Sequence, residues 1–320
     1  MKSLPKVLLA GWLYAISWAT PLLWADECKF ADTYSCAQSA ANGSSEDSTH
    51  AAPTTQVSQS ASGSEERGGA SGLFRNWFRM GERIQAEQPD WLSPIATTSG
   101  RLKQEFRYDL WRQPTTLGGT DYNFGGGKGL EFIIAPRIQL MVGPPSYVAH
   151  MGLATPDGFG DIPVMLKFRL AASGPREGDY LLTLFLSATV PGGSNAMRDA
   201  ILSPAIAVGK GWGRFDVQST FGASLPSGDT AALGRQLVSN TAFQYRMFWK
   251  LWPEVEANST YFLTGKNAGA TQVFLTPGLG FGRVRVWRAL RFSTAAGMQI
   301  AATRFHTYNH RAVFSVRYSF

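Results

Sequence analysis

The chain has 320 residues, 44% hydrophobic and 12% aromatic, with a net charge of +7 and a mean hydropathy of -0.11. Charged residues are 17%, against roughly 25% in ordinary soluble domains. Hydropathy near zero excludes a bundle of membrane-spanning helices, and the low charge with 34 glycines excludes a disordered or soluble helical protein. A membrane β-barrel, which alternates apolar and polar residues, keeps such an average.

Residues 1–25 carry Lys2 and Lys6, an apolar core from Val7 to Trp18, and small residues at Ser17, Ala19 and Ala25. This is the pattern of a secretory signal peptide. Cleavage after Ala19 and after Ala25 both remain open. Pro21 and the short core disfavour a membrane anchor. Cys28 and Cys36 are the two cysteines; in an oxidising compartment they can close a small disulfide loop. No His lies near them in sequence, so they are not read as a metal site. Residues 26–72, rich in Ser, Ala, Gly and Thr from 37 onward, read as a flexible periplasmic linker that buries too little apolar surface to fold.

Residues 73–100 read as a short amphipathic helix and a lead-in. Leu73, Phe74, Trp77, Phe78 and Ile84 fall near helical spacing, and Pro89 ends the pattern. Three placements compete: packing against the barrel's periplasmic end, plugging the lumen, or lying on the inner leaflet. Packing is the expected one.

From Arg101 the period changes to two. In 241–250, Thr241, Phe243, Tyr245, Met247 and Trp249 alternate with Ala242, Gln244, Arg246, Phe248 and Lys250. Segments 161–170, 214–225 and 254–263 do likewise. Dyad repeats of about ten residues are the signature of a spanning barrel. About twelve strands are expected, near 101–111, 128–135, 137–143, 159–172, 178–190, 201–210, 213–225, 237–249, 253–263, 271–282, 290–303 and 311–320. Tight connections (Pro136, Gly211-Trp212, 250–252) alternate with longer ones at 112–127, 144–158, 191–200, 226–236, 264–270 and 304–310. The long set is expected outside the cell. The expected fold is therefore all-β: an antiparallel transmembrane β-barrel over 101–320 with a periplasmic N-terminal extension, in a Gram-negative outer membrane, both termini periplasmic.

The last strand sets Phe314, Val316, Tyr318 and Phe320 on one face, with Arg311, Ser315, Arg317 and Ser319 on the other. A terminal strand ending in Phe320 resembles the signal read by the outer-membrane barrel assembly machinery, and pairing at an exposed edge gives that recognition a physical route. That machinery and outer-membrane lipid are the expected partners. Trp212, Trp249, Trp252 and Trp287 read as an interfacial belt.

Charge is uneven. Residues 26–100 hold 5 Lys/Arg against 10 Asp/Glu, and 101–320 hold 23 against 13. A basic barrel attracts anions; its bases are scattered without a recognition motif, which argues against nucleic acid. The polar faces nominate a lumen lined by Glu105, Arg107, Asp109, Lys167, Arg169, Asp216, Arg246, Glu254, Glu256, Arg311 and Arg317. These charges either pair across the bore as a stiffening girdle or tune a solute pathway. About twelve strands enclose a narrow lumen, gated by loops or by the N-terminal segment.

Catalysis is not expected. The four histidines are His50, His150, His306 and His310, and none stands beside an evident nucleophile; Ser315 is assigned to the inner face. His306 and His310 lack a third metal ligand, and no cofactor is implied. Gly125-Gly126-Gly127-Lys128 lacks the Walker spacing and reads as a loop.

Residues of about 86–320 also resemble outer-membrane barrels grouped as transporters or phenol meta-pathway degradation proteins. The stretches carrying this are Ala86-Glu87-Gln88-Pro89-Asp90-Trp91, Gln104-Glu105-Phe106-Arg107-Tyr108-Asp109, Asp157-Gly158-Phe159-Gly160-Asp161, Lys167-Phe168-Arg169-Leu170, Gly209-Lys210-Gly211-Trp212-Gly213 and Phe305-His306-Thr307-Tyr308-Asn309-His310. The resemblance implies a barrel and transport; it does not imply a degradative enzyme. Two functions remain open: passive or facilitated transport of an unidentified small solute, or a closed structural or binding barrel whose outer loops 112–127 and 144–158 contact ligands or partners.

Overall fold

The computed structural model describes residues 70–320, apart from 116–117, 127, 153–154, 194–198, 249 and 288–289. The signal segment, Cys28, Cys36, the linker up to residue 69 and Trp249 lie outside the described residues. The described residues belong to one compact unit, from Glu66 onward.

Among the described residues one helix, α1 (Ala70–Ala86), precedes fifteen strands joined in one antiparallel sheet. Eight strands run the full height of the wall: β8 (Tyr180–Val190), β9 (Ile201–Trp212), β10 (Phe215–Pro226), β11 (Gln236–Tyr245), β12 (Leu251–Phe262), β13 (Thr271–Trp287), β14 (Leu290–Ala301) and β15 (His310–Ser319). β1 (Glu105–Pro114) closes the circle against β15, in register from Glu105↔Ser319 to Arg112↔Ala312. Closure gives each long strand a partner on both sides, so their backbone groups are paired within the sheet.

Three further staves are each built from two collinear pieces. β2 (Thr120–Phe124) continues into β3 (Leu130–Ala135), β4 (Ile138–Val142) into β5 (Tyr147–Met151), and β6 (Gly158–Phe159) into β7 (Ile162–Ser173). β1 pairs with β3 at Glu105–Phe106 and with β2 from Leu110 to Pro114, so the two pieces cover its lower and upper edge. The wall is thus a closed antiparallel barrel of twelve staves. It corrects the connections expected at 112–127 and 144–158, which contain β2 and β5. The first stave begins at Glu105, and residues 101–104 stand inside the barrel.

Alternation sorts the side chains. In β10, Asp216, Gln218 and Thr220 are buried; in β12, Glu254, Glu256 and Asn258 are buried. The neighbouring positions put Leu166, Phe168, Leu184, Leu186, Leu237, Phe243, Val255, Leu275, Leu279 and Phe314 on the exposed outer face. An apolar exterior around a charged interior reverses the usual arrangement of a soluble sheet. Trp212 and Trp287 are exposed at the tight-turn rim, and Trp212 stacks with Phe215 at 6.2 Å. Trp252 departs from the expected belt: it is buried and faces inward.

α1 lies across the tight-turn rim. Ile84 packs with Leu102 and Ile133, joined by Met80, and Trp77 Nε1 donates to the Ile133 carbonyl at 2.6 Å. Phe78 meets Phe320 edge-on at 6.3 Å. Arg169 donates to the Ile84 carbonyl at 3.3 Å, capping a last-turn acceptor that the helix cannot satisfy itself.

Candidate functional site: a stoppered bore

After α1 the chain turns into the barrel. The Leu102 amide donates to Gln88 Oε1 at 3.0 Å, Gln88 Nε2 donates back to the Leu102 carbonyl, and Arg101 Nη1 reaches the Trp91 carbonyl. These bonds form a neck. Beyond it, residues 92–100 make a loop that fills the bore. Irregular backbone shut away from water must find partners for its peptide groups, and here the wall side chains supply them.

Acids hold the amides. Glu254 Oε1 accepts from Ile95 N at 3.0 Å, and the two oxygens of Glu256 accept from Ala96 N and Thr97 N at 2.7 and 2.5 Å. Cations hold the carbonyls. Arg107 donates to Pro94 O at 3.0 Å and to Ile95 O. Arg317 donates to Ser93 O and, at 3.1 Å, to Pro94 O. Lys167 donates to Ser99 O at 3.1 Å. Neutral groups complete the set: Gln218 bonds Leu92 O at 3.0 Å and the Ser99 hydroxyl at 2.9 Å, and Thr183 bonds Gly100 O at 2.8 Å. Bonds to charged partners are the stronger ones, roughly 1.5–3 kcal/mol each.

The wall is also shaped to the loop. A Cβ added at Gly209 would sit 2.5 Å from the Trp91 ring, and one at Gly297 would sit 2.9 Å from Ile95. At Gly278 it would collide with Ile95, and at Gly280 with Leu92. All are far inside the 3.5–4.0 Å at which carbons rest. Glycine in a strand interior weakens it and marks close approach of another group; that group is the plug. Trp91 Nε1 further donates to Asp179 at 3.1 Å.

Of the nominated lumen residues, Glu105, Arg107, Asp109, Lys167, Asp216, Glu254, Glu256 and Arg317 are buried inside the barrel. Arg311 is half-buried nearer the long-loop rim. Arg169 and Arg246 lie elsewhere: Arg169 caps α1 at the rim, and Arg246 is exposed beyond the end of β11, 5.8 Å from the Trp252 ring. Ion pairs form along the wall and onto the plug: Arg107–Asp109 at 2.8 Å, Lys167–Glu131 at 3.0 Å, and Lys103–Glu105 at 2.9 Å. Glu131, Gln139, Gln218, Thr183 and Lys103 escaped the sequence reading. Glu131 sits on a short broken stave, and Lys103 belongs to the plug. The glycines at 209, 278, 280 and 297 were the readable signal, since they share the inward parity.

His306 bonds locally, to the Thr303 carbonyl at 2.9 Å and Asn309 Oδ1 at 2.8 Å. Ser315 is fully buried and accepts from Arg317 Nε at 2.9 Å. On the long-loop side of the plug lies a cavity of about 400 Å³, floored by Ile95 and Ala96 and lined by Lys128, Asn258, Gln299, Tyr308 and Arg311 among others.

Fold and site together define a class: a closed twelve-stave barrel, apolar outside, charged inside and stoppered by its own preceding segment. No protein-family model matches the chain, and no curated protein sequence does. Among solved structures, it is similar to the KdgM porin at 12% identity and TM-score 0.41, covering 68% of this chain and 99% of that one. It is similar to an outer membrane channel from Pseudomonas putida F1 at 12% identity and TM-score 0.47, covering 68% and 94%. It is similar to outer membrane phospholipase A from Escherichia coli at 12% identity and TM-score 0.37, covering 70% and 99%. At these identities and scores the likeness assigns no function.

Proposed function

We propose that this chain is an outer-membrane channel for small polar solutes, held shut by residues 88–104 and opened when that segment shifts. The carrying observation is the match between plug and wall: glycines where Trp91, Leu92 and Ile95 press, and opposite charges where its amides and carbonyls point. A barrel that is merely structural can fill its bore with side chains from its own strands, as eight-stranded barrels do. Here the filling loop is attached by side-chain bonds and by no strand pairing. It can leave without unzipping the wall.

In this reading Glu105, Arg107, Asp109, Lys167, Asp216, Glu254, Glu256, Arg311 and Arg317 line the solute path once the plug withdraws. The apolar outer face supports burial in lipid, with the tight-turn rim and both ends of the barrel chain toward the periplasm. The Phe320 strand is the handle for the assembly machinery. The resemblance to transporters grouped with phenol meta-pathway proteins is in keeping with this reading. The second reading, a closed binding barrel, draws support from the charged wall side chains, Arg107, Lys167, Glu254, Glu256 and Arg317, that hold the plug's backbone.

Solute uptake into liposomes separates the two. The occluding loop begins after residue 90, so truncating the chain ahead of it leaves the bore filled. Deletion of residues 92–100 is the informative change. The channel reading expects faster uptake by the deletion variant than by the parent. A folded deletion variant that passes no solute contradicts it.

A further inference from the structure

The cavity above the plug contains two basic side chains that no carboxylate among the described residues pairs directly. Asp109 lines it but is held by Arg107 at 2.8 Å. Lys128 donates to the Thr98 hydroxyl at 2.7 Å, a neutral partner on the plug. Arg311 gives Nε and Nη2 to the Gln113 amide oxygen at 2.9 and 2.5 Å, again neutral. Its guanidinium lies 4.3 Å from the Trp111 ring centre and 4.1 Å from that of Tyr308. Two aromatic rings thus pack against the guanidinium, which restricts a side chain that otherwise has many rotamers. Among the described residues neither Lys128 nor Arg311 forms an ion pair, and Arg311 Nη1 has no acceptor. Two basic groups with neutral hydrogen-bond partners in a half-enclosed cavity, with Asp109 and Glu131 acting on Lys128 and Asp121 on Arg311 only from beyond ion-pair distance, attract an anion more strongly than exposed ones do.

The remaining wall suits the body of a small polar molecule. Tyr308 donates to Gln299 Oε1 at 2.5 Å, Gln299 to Asn258 at 3.2 Å, and Asn258 to Asn240 at 3.1 Å. Amides present both donors and acceptors. A volume of about 400 Å³ corresponds to roughly a dozen waters at about 30 Å³ each, the size of a small organic molecule.

We propose that this cavity is a binding site for a small organic anion, whose carboxylate is taken by Lys128 and Arg311. The proposal names the solute class of the channel and rests on the channel reading only for the solute's route. A carboxylate drawing Lys128 away from Thr98 also removes one bond from the tip of the plug.

The test is calorimetric titration of the full chain in detergent with succinate, and with its uncharged diamide, succinamide. Succinate should bind at least tenfold more tightly. Lys128→Gln and Arg311→Gln should each weaken it about tenfold or more, and Arg235→Gln, at an exposed loop outside the cavity, should not. Equal binding of the diamide, or no succinate binding by the parent protein, overturns the proposal without any variant having to fold. Loss of anion binding alongside intact uptake by the 92–100 deletion sinks this inference and spares the channel. Anion binding without uptake in that deletion does the reverse.

Discussion

Replacing Arg317 by Met should open the bore. Arg317 is buried at the wall and its guanidinium donates to the carbonyls of Ser93 and Pro94, the latter at 3.1 Å. Met fills a similar stem volume and donates nothing. Ser93 O then loses its wall partner altogether, whereas Pro94 O keeps Arg107 Nη1 at 3.0 Å. One whole charged bond and part of a second come to about 3 kcal/mol, taking roughly 1.5–3 for each. Two neighbouring effects oppose one another: removing Arg317 relieves Arg107 of a like charge and deprives Glu105 and Asp109 of a cation. At about 1.4 kcal/mol per tenfold, the open population should rise on the order of a hundredfold. Single-channel recording in planar bilayers reads this as open probability. The reasoning is refuted if a variant with parental β-sheet circular dichroism stays within twofold of the parent.

Two further perturbations act on shape. Gly278→Val with Gly280→Val places side chains where Ile95 and Leu92 rest, and should raise conductance with the barrel intact; unchanged conductance would remove the glycines from the argument. Trp91→Ala vacates the site over Gly209 and breaks the bond to Asp179. Large aromatic truncations cost about 3–5 kcal/mol when buried, so protease cleavage within residues 92–100 should accelerate at least tenfold, and an unchanged digestion rate would show that Trp91 does not anchor the loop.

The wall was readable because its physics is local. A strand with one face in an apolar medium and one in a polar bore must alternate, and 214–225 and 254–263 do so residue by residue. Connection lengths then gave the order of long and tight rims. β2 and β5 escaped because each is a five-residue piece set off by glycines, too short for a period to emerge. The plug escaped for a different reason. Residues 88–104 have no period at all, since individual wall side chains such as Glu254, Glu256, Arg107 and Arg317 hold the loop's peptide groups and no ladder does. Their partners, from Arg107 to Arg317, are scattered across the sequence. The charges nominated for the lumen were identified by face; that five of them, Arg107, Lys167, Glu254, Glu256 and Arg317, bond plug backbone is a property of the closed barrel, invisible to alternation. Arg169 and Arg246 have the right parity but lie at the ends of their staves, and parity does not measure height.

A reversible lock tests the plug most directly. A Cβ built at Gly100 on the plug lies 3.1 Å from the Cβ of Ala207 on β9, close to the roughly 3.5–4.5 Å that a disulfide spans. With Gly100→Cys and Ala207→Cys in a chain whose Cys28 and Cys36 are replaced by Ser, oxidation ties the loop to the wall. The account predicts single-channel openings under reducing conditions that vanish on oxidation and return on reduction. Openings that persist undiminished with the disulfide formed would contradict it.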